Sequence, residues 1–195
     1  MIALLSGKFL VLTPTLLILD VQGVGYELHI SLNTYAALAG KKEAAVHTYL
    51  KVSEDALTLF GFFDLEEKEM FIKLIGISGV GAATARMMLS SLRPAEIASA
   101  ILSGDACQLE RVKGIGKKTA ERLVLELRDK IGKQSSAMAT LNTGTYNSVW
   151  NDALDALLAL GIQRSQADAG IKKVQSSQPD ITSVEDIIKQ VLKSM

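Results

Sequence analysis

A glycine hairpin occurs twice in this chain, 35 residues apart. The first copy reads Leu74-Ile75-Gly76-Ile77-Ser78-Gly79-Val80-Gly81-Ala82-Ala83-Thr84-Ala85. The second reads Leu109-Glu110-Arg111-Val112-Lys113-Gly114-Ile115-Gly116-Lys117-Lys118-Thr119-Ala120. Leu74 maps onto Leu109, Gly79 onto Gly114, Gly81 onto Gly116 and Ala85 onto Ala120. A single Gly-x-Gly constrains little, because a helix C-cap followed by a turn gives the same letters. Two copies with the same flanking leucine and alanine constrain much more. They predict a duplicated unit in which a helix ends, the chain turns tightly and a second helix begins.

The residues of the turn point to an anionic ligand. Glycine reaches φ > 0 and lets a ligand approach the backbone. The middle apolar residue, Val80 or Ile115, plugs the turn into the core. The first turn of the following helix carries free N–H groups and the positive end of the helix dipole. Such a site suits phosphate, and a helix-hairpin-helix pair suits nucleic-acid backbone held without base readout. The second copy adds Lys117, Lys118 and Thr119. Cations there oppose the helix dipole, and a bound phosphate would resolve the conflict. Gly79, Val80, Gly81, Gly114, Ile115, Gly116, Lys117, Lys118 and Thr119 are therefore the candidate DNA-binding residues. Other glycine motifs fail on spacing. A Walker A loop needs glycine where Arg111 stands and Ser or Thr where Lys118 stands, and a Rossmann fingerprint needs a third glycine at Thr84 or Thr119.

The 195 residues have zero formal net charge, which argues against a nucleic-acid ligand until the charge is located. Eight basic residues against four acidic ones lie between Leu109 and Lys133, so the footprint is local. Cys107 is the single cysteine, which rules out a disulfide within the chain and a Cys-rich zinc site. No metal site and no cofactor is expected. His29 and His47 fall in strand-like segments and read as strand residues. Gly7, Lys8, Thr13 and Pro14 interrupt the apolar N-terminus, so neither a signal nor a membrane span is expected, and a reducing cytoplasmic setting fits.

Along the chain, residues 1–63 read as about five short strands with a helical turn near Asn33 to Leu38, a small barrel of the OB type. Residues 64–132 read as helices. Asp64 with Glu67 predicts a capping box for a helix through Ile75. Helices are expected from Ala82 to Ser90, from Pro94 to Gly104, from Asp105 to Val112 and from Lys117 to Ile131. Residues 133–146 are small, polar and aperiodic, and read as a flexible linker. Residues 147–195 read as three short helices, from about Ser148 to Leu160, Ser165 to Val174 and Ser183 to Lys193. The fold class is thus multidomain α+β.

This combination resembles the RuvA family of Holliday-junction-binding proteins along the whole chain. The resemblance is carried by Met1-Ile2 with Gly7, Gly23-Val24-Gly25-Tyr26-Glu27, Glu54-Asp55 with Phe60-Gly61-Phe62, Gly79-Val80-Gly81 and the run from Gly114 to Arg122. It implies a homotetramer, with an octamer as its possible double, that holds a four-way DNA junction open on one face. Each pair of hairpins would meet phosphates on both strands of one arm. Glu54 and Asp55 would form an acidic pin at the junction centre. The C-terminal Leu157-Leu158-Ala159-Leu160-Gly161-Ile162 resembles the loop of ubiquitin-associated-like bundles, and Leu157, Leu160 and Ile162 would contact the RuvB hexamer, the motor that uses the ATP. A RuvC resolvase is implied as a further partner. Two departures remove positive charge: Ser53 stands where the family commonly has a basic residue, and Ala82-Ala83 where it usually has Pro-Lys.

Two other classes fit tandem hairpins. A helix-hairpin-helix glycosylase needs a catalytic Asp beside a pocket, and the nearest one, Asp129, falls far along a charged helix. A single-strand binder of the OB type needs aromatic stacking platforms, and aromatics are only 5% of this chain.

Overall fold

In the computed structural model, residues 1–140, 145–177, 181 and 183–194 are described. The chain divides into two compact units, Met1–Gly132 and Lys133–Met195. In the first unit, β1 (Leu4–Thr13), β2 (Leu16–Val21), β3 (Val24–Ile30), β4 (Glu43–Val52) and β5 (Leu57–Phe62) close a barrel in the order β1-β2-β3-β5-β4. The β3–β5 pairing is parallel, and β4 closes the barrel antiparallel onto β1. The short helix α1 (Leu32–Leu38) connects β3 to β4. Alternation turns Leu5, Leu17, Leu19, Leu28, Ile30 and Val46 inward. Gly7 is required where β1 crosses β2, because a Cβ there would lie 2.2 Å from the Asp20 carbonyl oxygen.

The helices α2 (Leu65–Ile75), α3 (Ala82–Ser91), α4 (Pro94–Ser103), α5 (Ala106–Glu110) and α6 (Lys117–Thr140) follow. The division expected at residue 63 falls inside this first unit. Phe60 and Phe62 of β5 join the helical core rather than the barrel core. The Phe71 ring of α2 lies 5.1 and 4.9 Å from theirs, and 5.4 Å from Tyr49. These aromatic contacts fuse barrel and helices into one body.

The expected capping box at α2 forms only by half. Asp64 accepts from the Glu67 N–H at 2.7 Å, but the Glu67 carboxylate does not turn back. It is 2% exposed and accepts hydrogen bonds from the Ser31 and Thr34 hydroxyls of α1. Thr34 in turn accepts from the Phe63 N–H at 3.1 Å. Burial raises the Glu67 pKa above the ordinary carboxylate range, and the two hydroxyls oppose that shift in part. A tertiary demand overrode the local cap: two buried hydroxyls needed an acceptor.

Helix α6 was expected to end at Ile131, with a linker over 133–146. The helix continues through Thr140. The rest of the expected linker includes residues 141–144, which lie outside the described residues. The second unit holds α7 (Thr145–Ala159), α8 (Arg164–Ser177) and α9 (Val184–Ser194) around Trp150, Ala153, Leu157, Ala167, Ile171, Val174, Ile187 and Val191. No helix among the described residues is long and apolar enough to cross a membrane.

Candidate nucleic-acid interface

The two hairpins have the same backbone. In the first, the Ile77 N–H donates to Leu74 O at 3.1 Å, Val80 N–H to Ile77 O at 3.0 Å, and Ala85 N–H to Gly81 O at 2.9 Å. In the second, Val112 N–H donates to Leu109 O at 3.2 Å, Ile115 N–H to Val112 O at 3.0 Å, and Ala120 N–H to Gly116 O at 2.9 Å. Gly79 and Gly114 adopt φ of 93° and 95°, which favours glycine. Val80 and Ile115 are each 5% exposed and sit in the helical core beside the fully buried Ala85 and Ala120. They hold the turns in place and offer little surface of their own.

The second glycines do a different job. Gly81 has φ −84° and ψ 166°, a conformation open to any residue. A Cβ on Gly81 or Gly116 would meet nothing within 4 Å. Neither packing nor, at Gly81, backbone geometry demands glycine there. Both positions are exposed at the start of a helix, α3 or α6, and neither has a side chain to cap the first-turn amides. The space outside them is open, and it lies at helix N-termini, where first-turn amides are suited to receive an anion.

The hairpins lie side by side. A Cβ built on Gly79 would stand 3.7 Å from Thr119 Oγ1, and one on Gly114 would stand 3.8 Å from Thr84 Cγ2. Thr84 and Thr119 are repeat equivalents, so the contact is reciprocal and the pair has a pseudo-twofold arrangement. Lys117 and Lys118 are exposed beside Gly116, and Thr119 is half-buried between the turns. Arg122 reaches across the pair: its Nη1 donates to Ser78 O at 3.5 Å, and its Nε pairs with Glu126 at 3.0 Å. All nine residues predicted for DNA binding thus fall in one region, seven at its surface or edge and two beneath it.

The other predicted sites lie elsewhere. Glu54 and Asp55 are exposed at the tip of the β4–β5 turn, which Ser53 closes by donating its N–H to Ala56 O at 2.9 Å. In the second unit Leu157 is fully buried, Ile162 packs against the bundle core, and Leu160 is 64% exposed. Gly161, at φ 87°, ends α7, with Ile162 N–H donating to Leu157 O at 3.2 Å. Leu160 is the member of that trio with a surface to offer, and Leu157 is a core residue. Asp129 is exposed on α6.

Sequence reasoning missed the role of Arg86. Its Nη1 donates to Thr15 O at 3.2 Å and to His29 Nδ1 at 3.3 Å, fastening α3 to the barrel. A signal was available, since the repeat sets Arg86 against Glu121. The Glu67 network left no local signal, because Ser31 and Thr34 lie more than 30 residues away in sequence.

A barrel fused to paired hairpins, with open space at two helix N-termini, defines a class of protein that fits nucleic-acid backbone. Family models narrow the class. Residues 1–61 match the RuvA N terminal domain, 71–129 the SAM-like helix-hairpin-helix tandem, and 148–195 the RuvA C-terminal domain. The chain is 41% identical to the Holliday junction branch migration complex subunit RuvA of Cytophaga hutchinsonii, over 99% of both chains. It is 41% identical to the RuvA subunit of Christiangramia forsetii over 100% of both, and 39% identical to that of Bacteroides fragilis over 100% of both. The chain belongs to the RuvA family.

Proposed function

We propose that this protein is the junction-binding subunit of a branch migration complex. It binds four-way DNA junctions as a homotetramer, keeps them open and presents them to a RuvB motor, in the cytoplasm. The role is architectural. The protein catalyses nothing and needs no cofactor, and the ATP is used by the motor. The observation that carries this reading is the side-by-side packing of two hairpins, whose second glycines leave open space at two helix N-termini. The names and full-length similarity of the relatives support it.

Each pair of hairpins meets phosphates on both strands of one duplex arm. Four copies then supply many backbone contacts and little base readout, so structure rather than sequence is recognised. Glu54 and Asp55, on a projecting turn, repel phosphate at the junction centre. The C-terminal bundle docks the motor through the surface around Leu160. A RuvC resolvase is the enzyme that would act on a junction held in this way.

Gel-shift titration tests the reading. Four-way junctions should bind far more tightly than linear duplex of the same sequence. Equal affinity for the two, or strand cleavage or base release by the pure protein, would overturn it.

A further inference from the structure

The two hairpins share a backbone and differ in charge. The 35-residue offset sets Gly76, Ser78, Ala82 and Ala83 of the first copy against Arg111, Lys113, Lys117 and Lys118 of the second. All four of those cations are exposed. Between Leu74 and Ser91 the sole cation is Arg86. Its guanidinium is committed to Thr15 O and His29 Nδ1 on the barrel, away from the turn. Ala82 is 7% exposed and part of the helical core, so Ala83 alone of that pair faces solvent. Arg122 leans over Ser78 and is tied to Glu126, which places its charge between the turns. Glu110 and Glu121 also flank the second hairpin but not its turn.

We infer that this chain holds the two strands of a duplex arm unequally. The strand at the second hairpin is bound through that hairpin's own side-chain cations as well as amides, and the strand at the first hairpin through backbone amides, with no cation on its own turn beyond the Arg122 charge the two share. The inference rests on the reading that each pair of hairpins straddles one arm. Lysine and arginine contacts to phosphate release counterions and carry the salt dependence of binding. Amide contacts at a helix N-terminus act at short range, through a partial charge. The arm is therefore gripped along one strand and guided along the other.

The test uses the full-length protein and synthetic four-way junctions carrying short patches of neutral methylphosphonate linkages. In one junction the patch lies in every arm on the strand running 5′ to 3′ toward the crossover, and in the other on its complement. One placement should lower affinity at least about tenfold and reduce the slope of log K against log salt by about two units for each arm. The other should cost less than about threefold and leave the slope in place. Lys117→Ala with Lys118→Ala should shrink the difference between the placements. Ala83→Lys, at an exposed position, should make the insensitive placement sensitive. Equal losses from the two placements would overturn the inference, as would a difference that persists in full in the double-alanine variant. Either result with junction preference intact leaves the parent reading standing, whereas loss of that preference removes both.

Discussion

Thr119 stands against Gly79: its Oγ1 lies 3.7 Å from the place a Cβ on that glycine would occupy, and Thr84 stands in the same relation to Gly114. The second helix of each hairpin unit thus buttresses the turn of the other. A lone hairpin would have no such support. The reciprocal contact fixes the spacing of the two helix N-termini, so the pair forms a single unit whose geometry is a property of the duplication.

The glycines should separate stability from binding. Gly79→Ala and Gly114→Ala force a side chain into the left-handed region and should destabilise the first unit by about 1–2 kcal/mol each. Gly81→Ala and Gly116→Ala should cost less than about 1 kcal/mol, the loss of a helix N-cap glycine, yet weaken junction binding, because the added methyl occupies the anion's path. Urea unfolding and gel shift on the same four variants check this. A loss of stability in the Gly81 variant as large as in the Gly79 variant would count against the open-space argument.

Glu67 should make stability depend on pH. Its pKa is raised chiefly by burial, so folding favours the protonated form more than the unfolded chain does. The contribution of that group to stability is full below the ordinary carboxylate range and declines as pH rises through the raised value. Glu67→Gln removes this term, so the difference in stability between variant and parent should move in the variant's favour from pH 4 to pH 7. Glu67→Leu leaves the Ser31 and Thr34 hydroxyls without their acceptor and should cost about 2–4 kcal/mol. Urea unfolding across that pH range, followed by far-UV circular dichroism, gives both numbers.

Replacing Glu54 with Gln and Asp55 with Asn together should leave junction binding intact or tighten it. Both are exposed on a short turn, so the fold is not at risk. Removing their charge removes repulsion of phosphate. The change should appear in how strands separate during motor-driven migration, read with junctions carrying a fluorophore at the crossover. Collapse of binding would show that the pair holds the structure or a ligand.

The C-terminal bundle offers a clean separation of docking from folding. Trp150, the sole tryptophan, is 8% exposed in the bundle core, so its fluorescence reports that unit alone. Leu160→Glu should abolish stimulation of the motor and leave the Trp150 signal unchanged. Gly170→Ala should destabilise the bundle by about 1–3 kcal/mol, read from Trp150 fluorescence during unfolding, because the new Cβ would lie 2.6 Å from Val191 Cγ1. Deleting residues 147–195 should preserve junction binding while ending stimulation. Full stimulation by the truncated protein would refute the docking role.

The sequence by itself determined the parts whose signals are local. The repeat of glycines fixed the two turns, alternation in Tyr26-Glu27-Leu28-His29-Ile30 fixed a strand, and Asp64, Pro94 and Gly104 marked helix ends. Each of these is set by φ/ψ preference or by burial of one face, and both act over a few residues. The tertiary structure decided what each side chain was used for. Glu67 had the letters of a capping box and became the acceptor for two hydroxyls more than 30 residues away. Arg86 carried no local signal of its use and became a tether to the barrel. Leu157 and Leu160 share a helix end, and only packing could send one into the core and the other to solvent. A buried polar group must find its partner wherever the chain brings one, and that choice depends on contacts that no window of sequence contains.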